Sequence, residues 1–210
     1  MDFRNSETKN NLMRAFAGES QARNRYTIAA GQAREEKLYV IEAVFRFTAE
    51  QEKEHAEVFY KYLDKVAGEN IAIDGTYPVD ISKDAAALLR MAQHNEYEEH
   101  DDVYQNFARK AEEEGFLEIA DTFRQIAEIE KIHGNRFGQF AEWLEKGELF
   151  ASGVETAWMC MECGNIYRGT KVPSVCPVCH NDRGYFVRLE LAPYTGNCCM
   201  SVSYTHLRAH

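Results

Sequence analysis

Apolar positions recur in steps of three and four along residues 6–147, which is the spacing of the buried face of an amphipathic helix. Four such segments can be read, at Leu12–Ala30, Ile41–Tyr62, Leu89–Val103 and Phe116–Leu144. This part of the chain holds a single proline and is rich in Ala, Glu, Lys, Gln and Arg, which favour helices. The pattern therefore predicts a mainly α fold built as a four-helix bundle.

The ends of these helices are marked unevenly. Gly115 and Gly147 are typical of helix C-termini, and Ser82 is a candidate N-cap for the third helix. The stretch "AGENIAIDGTYPVDI" before it predicts a long connection. Between the first and second segments, "AREEKLY" carries no glycine or proline, so periodicity alone also allows one long helix.

Charged and imidazole side chains lie on the predicted buried faces where apolar residues belong. They are Glu19, Glu52, His55, Glu96, Glu130 and His133. The second half repeats the first, because each half has a helix with a lone inward Glu followed by a helix with Glu-x-x-His. Residues three apart share one helix face, so each Glu-x-x-His motif offers an oxygen and a nitrogen to one ion. This is the ligand plan of a di-iron or di-manganese carboxylate bundle.

The ligand plan also predicts where the chain turns. On one straight helix Glu19 and Glu52 would be about 50 Å apart, so they share a metal only if the chain folds back near residues 35–38. Carboxylates with imidazoles suit Fe or Mn better than structural zinc. Glu99 adds a carboxylate beyond the minimal plan, next to the ion of His55, which predicts coordination that changes with redox state.

The composition changes after Gly147, where a short, turn-rich segment carries paired cysteines. The four thiolates follow a C-x2-C-x12-C-x2-C pattern that holds one tetrahedral Zn or Fe: Cys160, Cys163, Cys176 and Cys179. A structural zinc ribbon and a rubredoxin-like iron centre both fit this pattern. We predict a bundle over residues 1–147, a linker over 148–156, a cysteine domain over 157–194 and a tail over 195–210. Residues 201–210 read as a translated sequencing adapter and are excluded from the fold prediction.

Net charge and hydropathy limit which classes of partner the protein could bind and where in the cell it could be found. A formal net charge of −10 argues against nucleic acid and anionic membrane surfaces as partners. No apolar run approaches the ~20 residues of a membrane span, and the polar N-terminus shows no secretory signal. We therefore expect a cytoplasmic protein, whose reduced cysteines serve metals rather than disulfides.

Specific motifs make the chain resemble rubrerythrin over residues 1–194. "FAGESQARNRY", "EKEHA", "NEYEEHDDVY" and "EIEKIH" resemble the ligand motifs of the family's four helices, in order, and the cysteine segment resembles its C-terminal domain. The resemblance implies a ferritin-like di-iron bundle followed by a rubredoxin-like domain. Three positions depart from the family pattern, Asn95, Gln105 and His180, and none of them removes a ligand.

The resemblance also implies a role for each ligand. One iron would be held by Glu19, Glu52 and either His55 or Glu99. The other would be held by Glu96, Glu130 and His133. Glu52 and Glu130 would bridge, and the four cysteines would hold the rubredoxin iron. Tyr26 and Tyr104 would donate hydrogen bonds to ligand carboxylates, and they join His55 and Glu99 as the expected catalytic residues.

The implied activity is reduction of hydrogen peroxide to water in oxidative-stress defence. Electrons would come from a rubredoxin or an NAD(P)H-linked rubredoxin reductase and enter through the cysteine centre of a homodimer. The alternative is a ferroxidase or iron-handling protein, for which the cysteine domain would be unnecessary. A third reading, a plain electron carrier, leaves the inward carboxylates unexplained.

Overall fold

A computed structural model describes residues 2–194 and confirms the predicted mainly α bundle. Its helices are α1 Glu7–Glu35, α2 Tyr39–Lys61, α3 Ala85–Glu98, α4 Tyr104–Glu113 and α5 Leu117–Glu145. A π-helical turn, Glu99–Val103, joins α3 to α4, so the third predicted helix is these three pieces together. The chain divides into two compact units, Met1–Leu149 and Phe150–His210, which are described separately. Across residues 2–194, no helix combines the length and apolarity that a membrane span requires.

The turn between α1 and α2 lies where the shared-metal argument predicts it. Helix α1 ends at Glu35 and α2 begins at Tyr39. Lys37 between them adopts the left-handed conformation, with φ 59°. This conformation costs a residue other than glycine ~1–2 kcal/mol. Because a lysine occupies this left-handed position, where glycine is usual, no glycine in the sequence marks the turn.

The start of α3 differs from the prediction. Asp84, not Ser82, is the N-cap, and its carboxylate accepts a hydrogen bond from the backbone N–H of Ala86 at 3.0 Å. Ser82 instead accepts from the backbone N–H of Asp84 at 3.1 Å, one step before the helix. The Ser82 prediction is therefore wrong, because the aspartate lies closer to the first free N–H groups of the helix.

The two glycines predicted at helix C-termini do follow the ends of helices. Gly115 (φ 87°) follows α4 and Gly147 (φ 70°) follows α5. Both use the left-handed conformation that ends helices. The connection between α2 and α3 is irregular beyond a short 3-10 turn at Tyr62–Val66.

The bundle interior contains two aromatic clusters spaced along the same helices. In the first, the ring of Phe137 lies 5.0 Å from Tyr26 and 5.2 Å from Phe45. In the second, Phe123 lies 5.0 Å from Phe59 and 5.9 Å from Tyr104. All six side chains are buried. The two Phe of α2 lie fourteen residues apart, as do the two Phe of α5, so each helix has four turns between the clusters.

The second unit is a small three-stranded antiparallel sheet in the order β2-β1-β3. The strands are β1 Ala151–Cys160, β2 Ile166–Lys171 and β3 Phe186–Arg188. Residues 151–156, predicted as linker, belong to β1, whose pairing with β2 is irregular between Ala151 and Thr156. The predicted tail, with the adapter-like residues 201–210, lies outside the described residues.

Candidate metal centres

The bundle brings the predicted carboxylates and histidines together in two overlapping groups. One contains Glu19, Glu52, His55 and Glu130, and the other contains Glu52, Glu96, Glu130 and His133. Within each group, one ligand atom per residue lies within 4.8 Å of all the others, and every member is buried. Glu52 and Glu130 belong to both groups, so the arrangement matches two adjacent cations that share two carboxylates.

The two shared carboxylates lie at nearly equal distances from the Nδ1 atoms of the two imidazoles. His55 Nδ1 lies 3.1 Å from Glu52 Oε2 and 2.9 Å from Glu130 Oε1. His133 Nδ1 lies 2.9 Å from both Glu52 Oε1 and Glu130 Oε2. The two rings are nearly parallel, at 13° and 5.6 Å between centroids. Each carboxylate therefore directs one oxygen to each imidazole, which is the geometry of a bridging ligand.

The two lone carboxylates are held by tyrosines from opposite halves of the bundle. The hydroxyl of Tyr26 donates to Glu96, and that of Tyr104 donates to Glu19. Burial raises the pKa of both tyrosines well above its usual value, and the negative carboxylates raise it further. Both hydroxyls therefore stay protonated and act as donors, each leaving the second carboxylate oxygen of its partner free for another ligand.

The buried charge shows that the site fits cations. Among the described residues, several site atoms make no hydrogen bond of good geometry, although some lie within 3 Å of an oppositely charged atom: Glu19 Oε2, Glu52 Oε1, Glu96 Oε2, both oxygens of Glu130, and both ring nitrogens of His133. Burial and nearby carboxylates raise the pKa of Glu19 and Glu96 well above the usual range. Unpaired buried carboxylates are costly, so atoms of this kind are paired with cations in stable proteins. The donor set of oxygens and imidazole nitrogens suits iron.

Without a metal, the histidines carry the compensating charge. Burial lowers the pKa of His133, but the carboxylates of Glu130 and Glu52, each 2.9 Å from its Nδ1, outweigh burial and raise the value to about 12. The same balance raises the pKa of His55 to about 9. For Glu52, burial raises the pKa, but the two histidines lower it to about 2. The metal-free site thus binds protons where two cations would otherwise lie.

Glu99 lies at the edge of this site, on the π-helical turn. It belongs to neither ligand group within residues 2–194 and is only partly buried. Burial, followed by the charges of Glu96, Glu130 and Glu52, raises the pKa of its carboxyl group well above the usual range. With Tyr104, it lines a cavity of about 650 Å³ between α1, the π-helical turn and residues 74–78 of the connection. Glu99 therefore lines this cavity and is close enough to the ligand carboxylates to be affected by their charge.

The π-helical turn corrects the predicted register of the third helix. Val103, placed on the buried stripe by periodicity, is only partly buried, whereas Tyr104 is fully buried. A π-helical turn holds one extra residue compared with an α-helical turn, and such turns are frequent at functional sites. The spacing gives a signal for it, since Tyr26 follows Glu19 by seven residues but Tyr104 follows Glu96 by eight.

The four cysteines of the second unit form the other candidate centre. Cys160 Sγ lies 3.8 Å from Cys179 Sγ, and Cys163 Sγ lies 3.7 Å from Cys176 Sγ. These distances exceed the ~2.05 Å of a disulfide bond. They match the ~3.8 Å edge of a tetrahedron with metal–sulfur bonds of ~2.3 Å. Buried Trp158 and Phe186 pack with Cys160 and Cys176 in the core of the unit.

The two cysteine pairs are local repeats of one another. The backbone N–H of Cys160 donates to Asn165 O at 2.9 Å, and that of Cys176 donates to Asn181 O at 2.8 Å. Each pair is followed by a left-handed residue, Gly164 (φ 76°) or His180 (φ 61°). His180, the position that departs from the family pattern, therefore keeps the backbone conformation of the glycine in the first pair.

The two cysteine pairs differ in one side-chain hydrogen bond, which Asn181 makes in the second pair. The amide of Asn181 donates to Cys179 Sγ at 3.5 Å. The backbone N–H of Asn181 lowers the pKa of Cys179 to about 6, and the side-chain amide adds to the effect. Within residues 2–194, Asn165 makes no equivalent side-chain bond to sulfur. Asn181 could not be predicted from the sequence, since nothing in the cysteine spacing distinguishes it from other residues near the thiolates.

Comparison with known proteins agrees with these two centres. The family model described as rubrerythrin matches residues 10–141, which include every member of both ligand groups. The chain belongs to the rubrerythrin family. A second model, the rubrerythrin rubredoxin-like domain, matches residues 158–187, with all four cysteines. The two centres are thus the rubrerythrin di-iron site, with its carboxylate and histidine groups, and a four-cysteine rubredoxin-like site.

Relatives cover nearly the whole rubrerythrin chain. It is 42% identical to the rubrerythrin of Clostridium perfringens over 185 residues, which is 88% of this chain and 95% of that protein. It is 44% identical to the rubrerythrin of Porphyromonas gingivalis over 184 residues, 88% and 90% of the two chains. A structure of nigerythrin in a mixed-valence state matches with a TM-score of 0.59 and 28% identity, over 86% of each chain.

Proposed function

We propose that this rubrerythrin is a non-haem di-iron peroxidase that reduces hydrogen peroxide to water. Membership of the family makes the protein an oxidoreductase. The observation that carries the finer proposal is the presence, in one chain, of a buried two-cation pocket and a four-thiolate centre. Peroxide reduction consumes two electrons, whereas a tetrahedral iron–thiolate centre passes one at a time. The combination thus fits an enzyme that collects single electrons and uses them in pairs.

Each residue of the bundle site has a role in holding the metals. Glu19 and His55 would hold one iron, Glu96 and His133 the other, and Glu52 and Glu130 would bridge them. When bound, the two ferrous ions supply the two electrons that the reaction consumes. Tyr26 and Tyr104 fix Glu96 and Glu19 through their hydroxyl groups. The aromatic clusters on either side limit water around these side chains.

Glu99 is the proposed proton donor. The reaction joins one hydrogen peroxide with two electrons and two protons to give two waters, so each departing oxygen needs protonation. Burial and the neighbouring carboxylates raise the pKa of Glu99 well above its usual range, which favours the protonated form that a general acid needs. Glu99 also lines the 650 Å³ cavity, through which solvent returns the proton. A carboxyl group that lines the cavity and lies near the ligand carboxylates suits this role.

The electron route rests on the rubredoxin-like unit. We propose that a rubredoxin or an NAD(P)H-linked rubredoxin reductase reduces the centre held by Cys160, Cys163, Cys176 and Cys179. We also propose a homodimer, in which the cysteine centre of one subunit serves the bundle of the other. Mixing the reductase with the iron-loaded protein under anaerobic conditions tests the first step through bleaching of the thiolate-to-iron absorption. Sedimentation analysis tests whether the protein is a homodimer.

A ferroxidase or iron-handling role is the second candidate, because its chemistry uses the same bundle. Anaerobic titration of the chemically reduced protein with hydrogen peroxide separates the two. A peroxidase consumes about one peroxide per pair of irons oxidised and turns over again when the reductase is present. A ferroxidase instead oxidises many added ferrous ions per chain. Iron oxidation well beyond the resident metals, without reductase-dependent turnover, would contradict the peroxidase proposal.

A further inference from the structure

One carboxylate of the α2–α3 connection holds side chains from two helices. Asp80 Oδ2 accepts a hydrogen bond from Asn95 Nδ2 of α3 at 2.7 Å and forms an ion pair with Arg25 Nη1 of α1. The side chains of Asp80 and Arg25 are only 15% and 12% exposed. In contrast, residues 74–79 of the same connection are all exposed. Asp80 therefore attaches this otherwise exposed segment to helices α1 and α3.

The two partners of Asp80 each precede a residue of the metal site. Arg25 is followed by Tyr26, and Asn95 is followed by Glu96. The hydroxyl of Tyr26 donates to Glu96, so these contacts close a ring through α1, α3 and the connection. The guanidinium of Arg25 also lies over the Tyr26 ring, 5.5 Å from its centroid. Asp80 is the member of this ring that belongs to neither helix.

We propose that Asp80 is a positioning residue for the di-iron site. By holding Arg25 and Asn95, it keeps Tyr26 and Glu96 in hydrogen-bonding register and keeps Glu96 among the ligand atoms. Without this carboxylate, the largely buried guanidinium of Arg25 keeps its bond to Gln21 Oε1 at 2.6 Å but loses its anionic partner, and the buried amide of Asn95 loses its acceptor. Arg25 and Glu99 line the same cavity, so the released guanidinium turns toward the site carboxylates. Competition of this kind weakens metal binding.

The chain offers two matched controls. Glu42 is a buried carboxylate of α2 that holds Arg34 Nη1 at 3.0 Å and Arg46 Nε at 2.9 Å. It precedes the ligand Glu52 by ten residues, about 15 Å along the helix, so Glu42→Gln removes the ion pairs of a buried carboxylate with two exposed arginines, away from the metals. Asp74 lies in the same connection as Asp80 and pairs with Arg14 at 2.7 Å, but it is 92% exposed.

The test compares iron-loaded Asp80→Ala, Asp80→Asn and Asp80→Glu with Glu42→Gln and Asp74→Ala. The readouts are the rate of ferrous ion release to a chelator, the absorption spectrum of the oxidised protein and the melting temperature. Residues around metal ligands typically change metal affinity 10–100-fold, so we expect Asp80→Ala to release iron at least about 10-fold faster. Asp80→Asn should be intermediate, and Asp80→Glu should restore most of the retention.

A purely structural role predicts a different outcome. Glu42→Gln should lower the melting temperature yet release iron at the wild-type rate, with an unchanged spectrum. If Asp80→Ala behaves like Glu42→Gln, the proposal is wrong. If Asp80→Ala does not fold, the comparison of Asp80→Asn with Asp80→Glu decides, and equal iron release from these two overturns the proposal. Because these readouts use no peroxide, they are independent of the proposed peroxidase activity.

Discussion

Tyr104 of α4 donates a hydrogen bond to Glu19 of α1, and this contact is the mirror of the one between Tyr26 of α1 and Glu96 of α3. Each half of the bundle thus supplies the tyrosine that fixes the lone carboxylate of the other half. The two halves are therefore linked through the metal site as well as through their apolar faces.

We expect Tyr104→Phe to lower both stability and peroxidase activity. The substitution removes the donor but leaves the Glu19 carboxylate buried, which typically costs about 1–3 kcal/mol. Urea denaturation of the iron-loaded protein measures the loss. Tyr62→Phe is the control, because its partly buried hydroxyl pairs with Thr122 at 2.9 Å. Equal activity in the two variants would show that Tyr104 has no specific role in the site.

Removing the metals should make stability strongly pH-dependent. In the metal-free fold, the pKa of Glu19 and Glu96 lies well above 4.5 and that of His55 is raised from 6.5 to about 9. The native state then binds more protons than the unfolded chain, so stability falls as pH rises. The lowered pKa of Glu52, about 2, changes stability only below about pH 4.5.

Thermal melts of metal-free protein should therefore give a lower melting temperature at pH 9 than at pH 6. Iron-loaded protein should show a much smaller difference, because bound metal keeps its ligands deprotonated at both pH values. A metal-free protein that is equally stable at pH 6 and pH 9 would contradict the protonation of the buried site.

Glu99→Ala should keep both irons in the reduced protein but reduce peroxidase activity by roughly 100-fold or more, as loss of a general acid does. Glu98→Ala is the control, since Glu98 is exposed and lines the same cavity.

A ferric ion favours a carboxylate more than a ferrous ion does, so crystals of the two redox states should show Glu99 bound in the oxidised state and His55 in the reduced state. One ligand set in both crystals would rule out this exchange.

Replacing both Cys176 and Cys179 with serine should abolish steady-state turnover with the reductase. Chemically reduced protein should still be oxidised in a single mixing with peroxide, because the reacting residues lie in the bundle. Stopped-flow absorption measures the second process, and iron analysis confirms that the bundle stays loaded. Loss of the single turnover at full bundle iron content would mean that the cysteine centre takes part in the peroxide step itself.

Asn181→Ala should lower the reduction potential of an iron-loaded cysteine centre. Its amide hydrogen bond to Cys179 stabilises the more negatively charged ferrous form. Loss of ~0.5–1.4 kcal/mol of this preference corresponds to roughly 20–60 mV. Spectroelectrochemistry measures the shift. Asn165→Ala, the equivalent change in the first cysteine pair, should leave the potential unchanged, and equal shifts in both variants would exclude a specific effect of Asn181.

The sequence predicted the ligand groups because buried charge is conspicuous on an apolar stripe. Glu19, Glu52 and Glu130 could be chosen from spacing alone, and the need for a shared metal predicted a turn near residues 35–38, where Lys37 lies. The turn had no local signal, since a lysine holds a conformation usually given to glycine. Similarly, Asp80 lies in an irregular segment without periodicity. Its ion pair with Arg25 joins residues fifty-five apart, which only the folded chain reveals.

The π-helical turn has a consequence for how such a protein changes over generations. Because Tyr104 follows Glu96 one residue later than Tyr26 follows Glu19, a single inserted codon accounts for the difference between the two halves. The extra residue is absorbed within Glu99–Val103, so the helix on either side keeps its packing. The second half of the bundle thereby carries an acid that the first half lacks, because Glu99 lies three residues after Glu96, whereas Ala22 lies three residues after Glu19.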